Sequence, residues 1–178
     1  MRFFTEDVEA WGADEDKFRE ACELNHIEYL KAKKRLPKKF IDIYEKTVHF
    51  DDDPIPCISI ITEWGSFTHG IKGGPPSFIK MVIVDYDNHD LAWEIIISNI
   101  KEMTAKWAIL PSNSSIDCID RDELIVDGDK DVSWELNFVG GLNLKVVFRN
   151  IDIRELKKDE IEIYKQPVKY KKRKRNWI

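Results

Sequence analysis

The densest run of metal-type side chains is Asp85-Tyr86-Asp87-Asn88-His89-Asp90. Asp85, Asp87, His89 and Asp90 offer carboxylate oxygens and an imidazole at near-alternating positions, donors that a divalent cation takes and that a small metal-dependent hydrolase would use. The spacing resembles the first half of a calcium loop, yet the loop's glycine and distal glutamate are missing. Asp, Asn and His are also the residues of a short turn between strands, and that reading asks for less. A second cluster, His49 with Asp51, Asp52 and Asp53, holds an imidazole beside carboxylates. General acid/base work needs a third group to orient such a pair and a pocket to exclude water, so a solvated acidic junction is the simpler reading.

Nucleophilic and phosphate-cradling motifs fail on inspection. Gly65-Ser66-Phe67 lacks the second glycine of a nucleophile elbow. Cys22, Cys57 and Cys118 stand in apolar surroundings that favour an inert thiol. The stretch from Gly70 to Pro76 is rich in glycine but lacks the Gly-Lys-Ser/Thr ending of a phosphate loop, and its two prolines offer no N–H. No cofactor is expected. That stretch lies in a long loop, Trp64 to Phe78, where Trp64, Phe67, His69 and Lys72 supply two apolar anchors and two polar contacts for a protein partner. Covering a sheet edge is the alternative use. At the end of the chain Lys171, Lys172, Arg173, Lys174 and Arg175 form a basic tail that would contact nucleic-acid phosphates or act as a solubilising end.

These groups must be positioned by two kinds of element. From Asp14 to Leu36, Phe18, Ala21, Cys22, Tyr29, Ala32 and Leu36 recur at helical spacing, while Leu24, Ile27 and Leu30 lie on the other side. Such a helix should touch a second surface, either its own sheet or a partner subunit. Pro37 stops it, and Phe40, Ile41, Tyr44 and Val48 space a second helix, making residues 14–48 a helical corner. After the proline-bearing DDDPIP the period changes to two. Strands are expected around Ile58 to Trp64, Phe78 to Tyr86, Leu91 to Asn99 and Cys118 to Val126, and then a final hairpin. In that hairpin Val132, Trp134, Leu136 and Phe138 must share a buried face with Leu142, Leu144, Val146 and Phe148. The parity opposes residue 134 to residue 146 and requires a three-residue loop, Val139-Gly140-Gly141, with a left-handed glycine. Past Phe148 the apolar parity flips to Ile151 and Ile153, which predicts a bulge near Arg149-Asn150.

Composition sets the frame. The 178 residues, 43% of them hydrophobic, suffice for one domain with its own core. An odd cysteine count at wide spacing suits a reducing, cytoplasmic setting, and no stretch approaches the ~18 apolar residues of a membrane span. Seven of the 28 bases lie in residues 165–178, leaving 21 against 33 acids in the first 164, a balance of −12. Such a body disfavours broad phosphate binding and suits steering toward a cationic partner.

Three segments carry a resemblance: Met1 to Thr5; Leu36 to Phe40 followed by His49 and Asp51; and Phe138 to Leu144. Together they resemble a family of small soluble bacterial proteins, a domain of unknown function that begins Met-Lys/Arg-Tyr/Phe-Phe-Thr and ends in a Phe-x-x-Gly-x-x-Leu hairpin. The resemblance covers about half the chain and implies a bacterial, cytosolic, helix-then-sheet protein. It implies no mechanism.

The expected fold is α+β, an N-terminal helical pair on a mostly antiparallel sheet of about six or seven strands. Residues 1–164 form one domain, and residues 165–178 a flexible tail. The leading functional reading is a non-catalytic interaction protein, an accessory or immunity-type partner presenting an acidic surface to a basic protein. A metal-dependent hydrolase at the Asp85 cluster is second, and nucleic-acid binding through the tail is third.

Overall fold

The computed structural model describes residues 15–47, 57–61, 78–85, 87–107, 119–139 and 141–165. Helix α1 spans Glu15–Lys33 and α2 spans Lys38–Lys46. Between them Arg35 and Leu36 donate to the carbonyls of Ala32 and Lys33, closing the last turn of α1. Pro37, extended at φ −60° and ψ 138°, is the N-cap of α2, a place where its missing N–H costs nothing. The corner expected at Pro37 is therefore present. Its first helix stops three residues before Leu36, which tucks its side chain partly against the core instead.

Among the described residues six strands follow: β1 (Cys57–Ile61), β2 (Phe78–Val84), β3 (Ala92–Trp107), β4 (Ile119–Asp127), β5 (Asp131–Phe138) and β6 (Leu142–Glu155). They form one antiparallel sheet in the order β1-β2-β3-β6-β5-β4. The α+β class is thus observed. β3 runs 16 residues, well past the expected end at Asn99. Its second half, Ile100 to Trp107, is rich in Lys, Glu and Ala, poor intrinsic strand formers. Pairing with Leu142 to Phe148 of β6 overrides that propensity.

The last hairpin has the register that the parity requires. Val132 opposes Phe148, Trp134 opposes Val146 and Leu136 opposes Leu144, and all eight alternating residues are buried. Gly141 takes φ 81° and donates its N–H to the Phe138 carbonyl at 2.7 Å, closing the three-residue loop. The parity flip past Phe148 is also present: Arg149 and Asn150 are both exposed before Ile151 turns back in. The irregularity lies on the neighbouring strand, which corrects the expected bulge. Asn99 of β3 adopts φ 52°, and the register with β6 shifts between Ile100 and Glu102. Both strands turn over together at this point, and the extra residue falls on β3.

The two helices cover one face of the sheet. Phe40, Tyr44 and Trp134 form its aromatic centre, with Phe40 edge-on to Trp134 at 5.7 Å and stacked on Tyr44 at 5.4 Å. A third helix, α3 (Lys158–Lys165), was not expected from the sequence. It packs Ile161 with Val82, Val84, Ala92 and Leu156, a separate small core. Its start is marked by Glu160, whose carboxylate accepts the Lys157 N–H at 2.9 Å, half of a capping box. Arg154 bridges Glu94 and Glu160 at 2.8 Å each beside this helix.

Candidate functional site

The turn between β2 and β3 holds the Asp85 cluster. Asp85 accepts the Asn88 N–H at 2.7 Å, and Asn88 Oδ1 accepts the Asp90 N–H at 3.2 Å, both being local bonds that shape a turn. Asp90 reaches away to Lys158 at 3.0 Å, tying the turn to α3. Among the described residues no three His, Cys, Asp or Glu side chains gather as a metal-holding group. Trp64, Phe67, His69 and Lys72, the tail from Lys171 to Arg175, and the group His49, Asp51, Asp52 and Asp53 lie outside the described residues. Cys22 is a free, half-buried thiol on α1.

Two other polar groupings emerge from the fold. The first is buried beneath α2. Asp122 of β4 directs Oδ2 at both the Tyr44 hydroxyl, 2.5 Å away, and the Trp134 Nε1–H, 2.6 Å away. Burial, then the Asp122 charge, pushes the Tyr44 hydroxyl pKa well above its ordinary 10.0. Tyr29 lies against Tyr44 at 5.6 Å and donates to Glu45 at 2.9 Å. This grouping joins helix to sheet through a satisfied polar network.

The second grouping opens to solvent at the helical corner. Lys34, Arg35, Leu36 and Pro37 form one wall, and Arg149, Asn150 and Ile151 of β6 form the other, around a cleft of about 430 Å³. Both arginines are held from behind. The Arg35 guanidinium donates through Nη1 to the carbonyls of Gly128 at 2.9 Å and Asp131 at 2.8 Å, fastening the corner to the β4–β5 turn. Gly128 suits that turn because its φ is +55°, a left-handed value. Arg149 donates Nε to Asp131 Oδ1 at 2.9 Å and Nη2 to Oδ2 at 3.4 Å. The hydrogen bond from Arg149 holds the Asp131 carboxyl below its ordinary range, and the nearby Lys101 and Arg35 charges act in the same direction.

Sequence reading did not assemble this cleft, although one signal for it was present. Arg149 and Asn150 are the two residues at which the apolar parity of β6 flips, so both side chains turn outward in succession. Lys34 and Arg35 belong to the basic run KAKKRLPKK, which reads only as a helix end followed by a helix start. The sheet order carries β6 inward, between β3 and β5, and so brings Arg149 to the corner.

No family model, no curated protein and no solved structure matches the chain. No helix among the described residues is long and apolar enough to cross a membrane.

Proposed function

We propose that this chain is a non-catalytic binding protein and that the cleft at the helical corner takes a small organic anion. The observation that carries the reading is the local surplus of positive charge: Lys34, Arg35 and Arg149 line the cleft, and of the three only Arg149 is bonded to a carboxylate, that of Asp131, while Arg35 donates to backbone carbonyls. Fixed guanidinium groups are suited to an oxyanion, because their geometry is paid for before the ligand arrives. A volume of about 430 Å³ suits a small molecule. Leu36 and Pro37 on one wall and Ile151 on the other supply apolar lining for its carbon skeleton. Asp131, held in its charged form by Arg149, is a poor proton acceptor, which favours binding over acid/base turnover.

This reading keeps the expected non-catalytic binding role but replaces the expected contact, an acidic surface meeting a basic protein, with a basic cleft meeting an anion. Asp16, Glu28, Asp42, Glu45, Asp90, Glu94 and Glu160 are engaged in ion pairs with neighbouring bases. A cytoplasmic setting remains part of the reading and rests on the cysteine pattern. Calorimetry with phenyl phosphate, benzoate and inorganic phosphate at low salt tests it. Phenyl phosphate should bind more tightly than inorganic phosphate, and Arg149→Gln or Lys34→Gln should each weaken it ~3- to 10-fold. Absent heats for all three probes, or equal affinity in both variants, would remove the reading.

A further inference from the structure

Helix α1 is apolar on two sides. Ala21, Tyr29 and Ala32 are buried toward the sheet, whereas Leu24, Ile27 and Leu30 remain 43%, 50% and 44% exposed. Phe18, also exposed, is a separate case. It lies on the sheet side beside edge strand β4, where the Arg121 guanidinium sits 5.8 Å from its ring centroid.

The outward stripe has an internal symmetry centred on Ile27. A leucine stands three residues away in each direction, Leu24 and Leu30. Four residues away stand Glu23 and Lys31, and seven residues away Glu20 and Lys34, opposite in sign each time. At 3.6 residues per turn all of these project within about 60° of the Ile27 direction, provided the helical spiral is continued one residue to Lys34. A helix macrodipole alone favours acids early and bases late. It does not place an aliphatic triad on the solvent side, nor centre the charges on it.

We propose that a second copy of this chain docks antiparallel along this stripe, with a twofold axis passing by Ile27. In that arrangement Ile27 meets its counterpart once on the axis, while Leu24 meets Leu30, Glu23 faces Lys31 and Glu20 faces Lys34, each of these three pairs formed twice. An isologous contact requires such self-complementarity. A parallel pairing would set like charges against each other. Lys31 already bonds Glu28 of its own helix at 2.5 Å, and its three donors allow it to serve both carboxylates. Lys34 also lines the basic cleft, but the register stands on the Glu23–Lys31 pairs without it. The pairing does not depend on the ligand proposed for the cleft.

Three side chains at this exposure offer only a few hundred Å² per copy, short of the ~800 Å² of a standard stable interface. The dimer is therefore weak, with a dissociation constant between ~10 μM and ~1 mM. Sedimentation equilibrium on the full chain up to about 1 mM at low salt tests the proposal. The expected result is a reversible monomer–dimer equilibrium that Ile27→Asp weakens by at least ~10-fold, with circular dichroism unchanged because the position faces solvent. Glu23→Lys and Lys31→Glu should each weaken it ~2- to 5-fold, and the double variant should recover most of the loss. A chain that stays monomeric throughout, a dimer indifferent to Ile27→Asp, or a double variant no better than its parents would overturn the proposal.

Discussion

Asp122 and Asp131 lie on the two strands of one hairpin, and each accepts hydrogen bonds from side chains, yet their surroundings differ in kind. Asp122 is enclosed beneath α2, with Tyr44 and Trp134 both donating to its Oδ2. Asp131 stands at the start of β5, where Arg149 bonds it and Arg35 and Lys101 lie close by, more cations than one carboxylate can neutralise. A polar group matched by its neighbours inside a core fixes architecture. A surplus of charge beside an open cleft leaves capacity for a ligand. The contrast implies that changes at the first site act on stability, and changes at the second on binding.

The largest effect is expected at the buried site. Trp134→Ala removes a fully buried indole and one donor to Asp122, and should cost ~3 to 5 kcal/mol in denaturant unfolding. Asp122→Ala leaves the Tyr44 hydroxyl and the Trp134 N–H without that acceptor, at ~2 to 5 kcal/mol. A loss below ~1 kcal/mol for Asp122→Ala would break the comparison, since the network would then add nothing to the packing. Tyr44 gives a pH signature of the same site. Its folded-state pKa is raised above 10.0, so it contributes stability that is present below pH 10 and is lost progressively as the pH rises beyond it. Tyr44→Phe should flatten that alkaline slope.

Effects on stability at the corner should be smaller. Arg35→Met removes two bonds to the β4–β5 carbonyls and should cost ~1 to 2 kcal/mol while also weakening anion binding. Arg149→Gln should change stability by less than ~1 kcal/mol, because its pair with Asp131 is exposed, yet it should weaken phenyl phosphate binding more than any change at the buried site that leaves the protein folded. The smallest effect concerns acid. The Asp131 pKa is lowered in the folded state, so its contribution is present above the ordinary value of 3.8 and is lost as the pH falls through the depressed one. Asp131→Asn should diminish that acid limb slightly in a pH-dependent unfolding series.

What the sequence shows of these two regions follows from how far apart in the chain the determining residues lie. The hairpin carrying Trp134 is legible because eight apolar residues on two adjacent strands admit one register that buries them all. The helical corner is legible from one residue, Pro37. Helix α3 is hidden by its shortness and by Ile161 and Ile163, whose alternation mimics a strand. The partnership of Asp122 with Tyr44 is not legible, because it joins β4 to a helix 78 positions earlier in the chain. The cleft is harder still. Arg149 meets Arg35 only because β6 is inserted between β3 and β5, and strand order leaves no mark on local periodicity.

The central claim, that the corner rather than the buried network is the binding site, is tested most directly by mapping a ligand onto backbone amides. Phenyl phosphate titrated into isotope-labelled protein, with amide shifts followed by NMR, reads both regions at once. Binding at the corner should give saturable shifts concentrated at Lys34 to Leu36 and Arg149 to Ile151, abolished by Arg149→Gln in a protein that remains folded. Shifts scattered over the surface, or centred on the strands around Asp122, or unchanged in Arg149→Gln, would contradict it.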